Sequence, residues 1–573
     1  MKDRTWDHRW GFRDTEFRIQ GQHVTMTGDR YPLSGTVMPE FLPFAEEMLG
    51  VKFPLGEPRP ERATKPVPAP RNNSAFLKEL EATFDSSLFT QEPGVRLRHS
   101  HGQTTADELY VVLYREIERV ADLVFYCETH DQALKLVELA ARYDVCLVPF
   151  GGGTSVSCAL KLPADEERMI VSVDTTRMNQ VEWIDRVNLR ASVQAGITGR
   201  ELEALLACEG FTCGHEPDSI EFSTLGGWIA TNASGMKKNR YGNIEDIVEN
   251  VTVVTPRGVV THTQDQPRVS MGIQPKQFFF GSEGNLGLIT SAVIRIHPKP
   301  EVTRYASLVF PTFKAGTDFL FALSRSGVLP ASIRLLDNIQ FRFGGALKPK
   351  ASPSKWFKRK LEKLFLTKVM KFHPHELAAA TVVMEGSKAE VGQQQKILYK
   401  LAWEHGGFPG GEANGKRGYM LTYAIAYIRD FLAQYHILGE TYETTVPWTH
   451  IHQVIEAVKT TAEKAHRENN LPGRPYVSPR ITQIYHTGVC IYFTHGFSHH
   501  GVDNPEEVFS KIEHQLRETI MDAGGSISHH HGVGKLRSDF MQRAATPTAI
   551  ELLKEIKTVH DPKNVFGVRN NVL

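Results

Sequence analysis

Three loops rich in glycine, serine and threonine constrain this chain more than any other feature of its sequence. The first loop, PFGGGTS (149–155), continues the apolar run VCLVPF, which predicts a short strand. The second, GHEPDSIEFSTLGGWIATNASG, spans 214–235, and the third, FGSEGNLGLIT, spans 280–290 and leads into another predicted strand. Successive glycines let several backbone N–H groups converge on one concavity that receives phosphate oxygens. Three such loops in order predict one extended ligand that contains a pyrophosphate.

The spacing of the glycines separates these loops from two common phosphate-binding motifs. A G-x-G-x-x-G dinucleotide fingerprint requires a glycine where Val156 stands, and a Walker loop requires G-K-[ST] after four intervening residues. The later stretch GVGKLR also departs from the Walker pattern, because Leu536 follows its lysine. Each loop alone is equally consistent with a tight structural turn, and only the three together favour a ligand site.

The sequence around the loops predicts a mixture of strands and helices over roughly 106–297. Thr129 with Gln132, and Thr198 with Glu201, have the spacing of capping boxes that begin helices. Strands are predicted at DLVFYC, VCLVPF, LRASVQAGI, NVTVVTP and GLITSAVIRIHP. Before this region, six prolines between residues 54 and 70 predict an extended strap.

The composition of the chain argues against several classes of protein. The formal net charge of the 573 residues is +1, so no overall charge favours nucleic acid or an acidic partner. The six cysteines include no C-x-x-C pair, which favours reduced, mostly buried thiols over a disulfide framework or a zinc finger. No apolar window of about 18 residues predicts a membrane-spanning helix. We also expect neither a secretory signal at the N-terminus nor an S-K-L address at the C-terminus.

The stretch 348–371 differs sharply in composition from its surroundings. It carries nine basic residues against the single acidic Glu362, and its apolar residues recur on one face of a helix. One interpretation is a basic surface helix packed on its own domain. The other is a helix that rests on anionic lipid.

The three loops resemble the FAD-binding domain of the vanillyl-alcohol-oxidase family of flavoproteins. In that family the first loop holds the pyrophosphate, and the other two hold the flavin and adenine ends. Some relatives bond the flavin covalently through His or Cys at the glycine loop, whereas Thr154 and Ser155 stand here, so we expect non-covalent FAD. The resemblance implies the following cofactor-binding residues: Pro149, Phe150, Gly151, Gly152, Gly153, Thr154, Ser155, Asp218, Ser219, Ile220, Glu221, Phe222, Ser223, Thr224, Thr231, Asn232, Ala233, Ser234, Glu283, Gly284, Asn285, Leu286, Gly287, Leu288 and Ile289.

The same resemblance implies the fold class and the division into domains. The fold is expected to be α+β, with a two-subdomain FAD-binding domain joined to an α+β cap domain that has an antiparallel sheet. We expect an N-terminal appendage and strap at 1–105, the FAD-binding domain at 106–297, and the substrate-binding cap at 298–520. A C-terminal segment at 521–573 would carry a histidine-rich active-site loop.

Two segments distinguish branches of this family. Relatives that oxidise D-2-hydroxy acids with a divalent metal carry H-x-G-D-G-N-x-H in the cap and E-H-G-x-G later. Here the first segment is HTGVCIYF (486–493), and the second is HHGVG, with His530 in place of the glutamate. Imidazole and carboxylate ligands suit a divalent metal, and most of that set is missing from this sequence. We therefore expect no metal site.

Longer segments resemble another branch, the alkyldihydroxyacetonephosphate synthases of ether-lipid synthesis. GHEPDSIEFSTLGGWIATNASGMKKNRYGNIED, PASIRLLDN, RGYMLTYAIAYIRD and SHHHGVGKLR carry the resemblance, which covers nearly the whole chain. That branch exchanges the acyl chain of acyl-dihydroxyacetone phosphate for a long-chain fatty alcohol and releases a fatty acid. The resemblance implies flavin chemistry without net redox change. The alternatives are a FAD-dependent D-2-hydroxy-acid dehydrogenase and a catalytically silent flavoprotein that serves as a membrane scaffold.

The resemblance also implies roles for single residues. Tyr492 is expected to transfer a proton, which requires a lowered phenol pKa or a neighbouring base. His529, His530 and His531 are expected to accept or relay that proton, since imidazole titrates near neutrality. His215 is a further acid–base or positioning candidate. A structural role is the alternative for each of these side chains.

Two arginines lie in otherwise apolar runs, and a buried arginine requires an anionic partner. Arg334 and Arg429 are candidates to hold the phosphate or the departing carboxylate by paired hydrogen bonds. Lys535 could assist them. The alternative is a structural salt bridge to Asp337 or Asp430.

The family resemblance implies partners and a location as well. Acyl-dihydroxyacetone phosphate and a fatty alcohol both carry long chains, so an apolar tunnel through the cap is expected. Members of the family are typically homodimers that associate peripherally with the lumenal face of the peroxisomal or glycosomal membrane. No nucleic-acid partner is expected.

Overall fold

The computed structural model describes residues 5, 8–59, 61, 67–102, 105–264, 266–350, 368 and 372–573. It divides into two compact units. The cap unit consists mainly of Trp10–Glu61 and Pro300–Ser526, and the glycine-loop unit consists mainly of Arg62–Lys299 and Ile527–Leu573. The helix predicted within 348–371 lies outside the described residues, apart from positions 348–350 and 368.

The strands are numbered in chain order. They are β1 (Phe17–Gln20), β2 (His23–Met26), β3 (Val37–Met38), β4 (Phe89–Thr90), β5 (Leu123–Tyr126), β6 (Cys146–Phe150), β7 (Ile170–Asp174), β8 (Val181–Asp185), β9 (Arg190–Gln194), β10 (Phe211–Thr212), β11 (Val248–Thr255), β12 (Gly258–Val260), β13 (Leu288–Arg295), β14 (His297–Pro298), β15 (Val302–Phe310), β16 (Ser332–Leu336), β17 (Ala378–Gly386), β18 (Phe408–Pro409), β19 (Ile437–Pro447), β20 (Tyr476–Ile484) and β21 (Gly488–Ser498).

The α-helices are numbered in the same way. They are α1 (Phe41–Leu49), α2 (Ser74–Thr83), α3 (Pro93–Arg98), α4 (Ala106–Tyr114), α5 (His130–Tyr143), α6 (Gly199–Cys208), α7 (Leu225–Thr231), α8 (Lys238–Tyr241), α9 (Ile244–Ile247), α10 (Phe313–Arg325), α11 (Asn338–Ala346), α12 (Lys388–Glu404), α13 (Glu412–Met420), α14 (Ile425–Ala433), α15 (Ile451–Glu468), α16 (Pro505–Asp522), α17 (Met541–Ala544) and α18 (Pro547–His560).

The glycine-loop unit is built on two main sheets. One has the order β4-β5-β7-β6, in which β5 and β6 both run parallel to β7. The other has the order β12-β11-β13-β9-β8, and its neighbouring strands are antiparallel. The five strands predicted from apolar runs correspond to β5, β6, β9, β11 and β13.

Helix α5 shows why the sequence folds locally as predicted. Thr129 accepts the N–H of Gln132, and the Gln132 side chain accepts the N–H of Thr129, so the predicted capping box is present. Its apolar side chains, which include Leu136 and Val137, are fully buried on one face against the first sheet. The box at Thr198 and Glu201 begins α6 in the same way. Both predicted capping boxes are therefore confirmed.

The cap unit contains a seven-stranded sheet of order β18-β15-β17-β16-β20-β21-β19. Every neighbouring pair in it is antiparallel. This sheet confirms the prediction of an α+β fold with an antiparallel sheet in the cap. The N-terminal residues pack within the same unit, because Phe17 and Phe41 lie against Phe431 of α14 with ring centroids 6.3 and 6.1 Å away.

Among the residues that the structure describes, none of the helices is both long enough and apolar enough to cross a bilayer.

Candidate active site

The first glycine loop is packed tightly against the second. A Cβ at Gly152 would lie 1.9 Å from the carbonyl oxygen of Phe222, and one at Gly151 would lie 2.4 Å from Oγ1 of Thr224. Only glycine permits this approach, since a side-chain atom cannot occupy the same space. The backbone of the first loop is therefore held in a fixed position beside the second.

The third loop joins the same assembly. The N–H of Glu283 donates to the carbonyl of Ala230 at 2.8 Å, and the N–H of Gly281 donates to the carbonyl of Ile229 at 3.2 Å. Glu283 itself has a left-handed backbone with φ 47°. The structure thus brings together, within one unit, the three loops that the sequence singles out.

His215 lies in the second loop and is almost fully buried, with 1% of its surface exposed. Its ring centroid is 4.6 Å from that of Trp228. In the part of the chain that the structure describes, neither ring nitrogen has a hydrogen-bond partner. Burial, assisted by the nearby His530, lowers the pKa of His215 to about 3. At neutral pH this side chain is a neutral imidazole that can bond to a ligand atom.

The histidine run forms a partly buried chain of rings in the same unit. Nδ1 of His529 lies 2.5 Å from Nδ1 of His530. The ring centroids of successive histidines, 529 to 530 and 530 to 531, are both 4.8 Å apart. Because neighbouring imidazoles at this distance can exchange a proton, the arrangement suits a relay.

The turn after the histidines is fixed from both sides. The N–H of Gly534 donates to both carboxylate oxygens of Glu283, each at 2.9 Å. The guanidinium of Arg537, which is fully buried, donates to the carbonyls of Gly532 at 2.8 Å and Val156 at 3.3 Å. Burial raises the pKa of the Glu283 carboxyl to about 7. The histidine loop is thereby tied to the first and third glycine loops.

Lys535 is directed into this turn. Its Nζ donates to Oδ1 of Asn570 at 2.7 Å and to the carbonyl of Ala159 at 3.3 Å. Asn570 also donates to the carbonyl of Glu283 at 2.8 Å. Burial lowers the pKa of Lys535 to about 8. Its side-chain nitrogen therefore contributes to the loop assembly, and the suggestion that it assists the arginines in holding an anion stays a prediction.

In the cap unit, Tyr492 lies at the centre of a buried polar row. It pairs directly with Arg480 on β20 and with Glu443 on β19. Residues that are directly opposite in a sheet point to the same face, so the three side chains share one face. The adjacent row, formed by Ile481 and Ile491, points to the other face and is fully buried. The sheet thus has an apolar face and a buried face that carries charged and polar side chains.

The two predicted arginines differ in their partners. Nε and Nη2 of Arg429 donate to the carboxylate of Asp430 at 3.0 and 2.8 Å. Arg334 of β16 donates to the hydroxyl of Thr422 at 2.6 Å. Arg334 lies two residues from Leu336, which pairs with Arg480, so Arg334 shares the polar face of the sheet. The structural salt bridge considered for Arg429 is present.

Comparisons with known proteins cover nearly the whole chain. A family model described as "FAD binding domain" matches residues 121–264, and one described as "FAD linked oxidases, C-terminal domain" matches residues 299–569. The alkyldihydroxyacetonephosphate synthase of Caenorhabditis elegans is 42% identical over 98% of this chain and 94% of its own length. The one from Dictyostelium discoideum is 33% identical over 88% of this chain and 81% of its own length.

The chain belongs to the alkyldihydroxyacetonephosphate synthase family. A solved structure of an alkyldihydroxyacetonephosphate synthase superimposes with a TM-score of 0.86 at 28% identity and covers 98% of both chains. p-Cresol methylhydroxylase, at 12% identity and a TM-score of 0.65 over 87% of this chain and 97% of its own, shares the fold. The resemblance drawn from sequence motifs is confirmed, and the synthase family is favoured over the hydroxy-acid dehydrogenase alternative.

As a member of the synthase family with a matched FAD-binding domain, the protein uses FAD. The residues present suit that cofactor. Gly151, Gly152 and Gly153 carry no side chains, and the tight packing at Gly152 holds their backbone in place, as a loop that binds a pyrophosphate through its N–H groups requires. His215 adds a buried neutral ring whose nitrogens have no hydrogen-bond partner among the described residues. Each of the proposed cofactor-binding residues stays a prediction.

Sequence reasoning missed two residues of the polar row. Arg480 and Glu443 lie in strands, and the motifs that carry the family resemblance do not single them out. The available signal was the period-2 pattern of β21, where Cys490 and Tyr492 alternate with Ile491 and Phe493. A strand that is buried on both faces but polar on one indicates a ligand-facing surface.

Proposed function

We propose that this protein exchanges the acyl chain of acyl-dihydroxyacetone phosphate for a long-chain fatty alcohol. The C1–acyloxy bond breaks, the alcohol oxygen forms the new bond to C1, and fatty acid and alkyl-dihydroxyacetone phosphate leave without net redox change. The observation that carries the proposal is the 42% identity over 98% of the chain to a protein with this named activity. Tyr492, at the centre of the buried polar row, supports it.

FAD supplies, when bound, an electron-rich centre that can bond to the substrate carbon. The residues of this chain would handle the protons around that chemistry. Tyr492 would remove a proton from the carbon that carries the acyloxy group. His529, His530 and His531 would accept or relay it, and the contact between the first two rings, 2.5 Å between Nδ1 atoms, supports a relay. His215 would act as a neutral hydrogen-bonding group, because its pKa lies well below neutrality.

Arg334 is the better candidate for binding an anionic group of the substrate. It shares the polar face of the cap sheet with Tyr492, and it donates to the hydroxyl of Thr422 at 2.6 Å. Arg429 is paired with Asp430, so its charge is already compensated. We therefore propose that Arg334 holds the phosphate or the departing carboxylate, and that Arg429 shapes the site.

One assay tests the proposed activity directly. Purified protein is given acyl-dihydroxyacetone phosphate and hexadecanol, and the alkyl product is measured by mass spectrometry. The expected result is alkyl product and free fatty acid in equal amounts, with no requirement for added metal. Flavin bleaching by a D-2-hydroxy acid, without alkyl product, would instead establish the dehydrogenase alternative.

We further propose that the protein associates peripherally with a peroxisomal or glycosomal membrane and forms a homodimer. Two long-chain substrates and the basic composition of 348–371 support the membrane contact. Reversal of three lysine charges in that stretch should weaken sedimentation with anionic vesicles and leave the flavin content intact. Unchanged sedimentation would contradict the role of the stretch, and light scattering would test the dimer.

A further inference from the structure

The contact between Arg480 and Tyr492 stands out in the cap sheet. The guanidinium carbon of Arg480 lies 4.7 Å from the ring centroid of Tyr492, and the two residues are directly paired across β20 and β21. Both are buried, with 8% and 7% of their surfaces exposed. A guanidinium over an aromatic face in a buried environment interacts much more strongly than it does in water.

Burial alone would make the Tyr492 phenol a poor base. Removing a phenolate from water is costly, and Glu443, which is fully buried and faces the tyrosine from β19, adds a like charge that disfavours ionisation. Arg480 provides the opposite charge from β20. It is therefore placed to offset both effects and to favour the phenolate.

Other titratable groups on this face are further along the strands or, like Arg334, on the neighbouring strand β16. Cys490 lies two residues from Tyr492 on β21, and Tyr476 lies four residues from Arg480 on β20. Asp337 reaches the face through Ser478, whose hydroxyl donates to its carboxylate at 2.5 Å. Arg480 is the cation that the structure shows in contact with the ring of Tyr492.

We infer that Arg480 is a positioning residue that orients the Tyr492 phenol and stabilises its phenolate during proton removal. The inference rests on the proposed function, because it deepens the role proposed there for Tyr492. A purely structural role would be served by an apolar side chain of similar size, without the desolvation cost of a buried guanidinium.

A second arginine–tyrosine contact provides a matched comparison. The guanidinium of Arg517 lies 5.5 Å from the ring centroid of Tyr442. Tyr442 pairs with Phe493, so it points to the apolar face, and Arg517 forms an ion pair with Glu513 at 3.1 Å. Burial raises the pKa of Tyr442 in spite of this arginine. There the arginine contact accompanies a raised tyrosine pKa and an arginine that is already paired with a carboxylate.

The test compares Arg480→Met and Arg480→Lys with Arg517→Lys. In Arg480→Met we expect kcat for alkyl product to fall about 10- to 100-fold at neutral pH. The rising limb of the pH–kcat profile should move about one unit toward alkaline pH. Arg480→Lys should recover part of both effects, and flavin content and KM should change little. Arg517→Lys should lower thermal stability and leave the pH limb in place.

Two further measurements keep the inference falsifiable. The double variant Arg480→Met, Tyr492→Phe should be no slower than Tyr492→Phe alone, since the arginine acts through the phenol. The ultraviolet absorbance of the phenolate, taken as wild type minus Tyr492→Phe, should titrate at higher pH when Arg480 is replaced. An unmoved pH limb and an unmoved phenolate titration would overturn the inference. If wild type forms no alkyl product, the proposed function fails, while the phenolate titration still tests the contact.

Discussion

The carboxylate of Glu283 accepts the N–H of Gly534 with both of its oxygens, each at 2.9 Å, across 251 residues of sequence. It thereby connects the third glycine loop to the turn that follows His531. A Cβ at Gly532 would lie 2.3 Å from the same carboxylate, so the turn and the acid are in close contact. The position of the histidines relative to the glycine loops depends on this pair.

Replacement of Glu283 should reveal a pH-dependent contribution to stability. Burial raises its pKa from 4.5 to about 7, so its favourable contribution is present below pH 4.5 and is lost as the pH rises through 7. Glu283→Gln keeps an acceptor for Gly534 but does not ionise. The free energy of unfolding of Glu283→Gln minus that of wild type should therefore rise between pH 5 and pH 8. The rise should be about 1.4 kcal/mol for each unit by which burial raises the pKa of Glu283.

Chemical denaturation at a series of pH values measures this difference. Glu138→Gln, on the surface of α5, is the control and should show no such rise, because ion pairs with Lys135 and Arg142 lower the pKa of Glu138. A constant difference between Glu283→Gln and wild type across this range would contradict the raised pKa.

The close approach at Gly152 predicts a specific loss of cofactor. A Cβ there would lie 1.9 Å from the carbonyl oxygen of Phe222, so Gly152→Ala must displace the first loop from the second. We expect loss of bound FAD, measured by absorbance, and a destabilisation of about 2 kcal/mol or more. Gly392→Ala, in α12, meets open space and should be neutral or stabilising by about 0.5–1 kcal/mol. Full flavin content in Gly152→Ala would refute the tight packing of these loops.

Replacement of Arg429 should mainly lower stability, whereas replacement of Arg334 should mainly weaken substrate binding. Arg429→Met leaves Asp430 buried without its ion-pair partner, which costs about 3–5 kcal/mol. Arg334→Met should instead raise KM for the phosphate substrate with a smaller change in melting temperature. Thermal melts and steady-state kinetics on both variants check the contrast. If Arg429→Met raised KM at unchanged stability, the assignment of the anion to Arg334 would be reversed.

Buried histidines should make the fold sensitive to acid. Burial lowers the pKa of His495 from 6.5 to about 3, and its ring centroid lies 5.8 Å from that of Phe497 and 5.8 Å from that of Phe509. Because its pKa is lower in the folded protein than in the unfolded chain, the histidine contributes fully to the free energy of unfolding above pH 6.5. This contribution falls by about 1.4 kcal/mol for each pH unit below 6.5. His495→Met should therefore unfold with a shallower pH dependence between pH 6.5 and 4, as measured by urea titration. An unchanged slope would mean that His495 is protonated in the folded protein.

Much of the glycine-loop unit could be predicted from sequence because its signals are local. The capping boxes at Thr129 and Thr198 and the apolar runs of the strands depend only on nearby residues, and the structure contains them. The three loops were predicted to share one ligand, and the structure packs Gly152 against Phe222 and Glu283 against Ala230.

The sequence could not predict contacts between distant segments. Arg480 pairs with Tyr492 because of the register of β20 with β21, and that register includes a bulge between Ile481 and Gln483. Arg429 and Asp430 are adjacent in the sequence, but adjacent side chains do not always form an ion pair. The sequence therefore offered this ion pair only as an alternative. Lys535 donates to Asn570, which is 35 residues away, and no local sequence pattern indicates this contact.

Asn285 and Asn570 exchange hydrogen bonds in both directions, although 285 residues separate them. The intervening chain includes Pro300–Ser526, the larger part of the cap unit. During synthesis, the ribosome therefore completes the cap before it supplies the segment that closes the glycine-loop unit. Because domains tend to fold as their residues emerge, the cap can form first, before the third glycine loop has its partner Asn570. Cofactor capture then becomes a late step in the maturation of this chain, governed by the closure of one long loop.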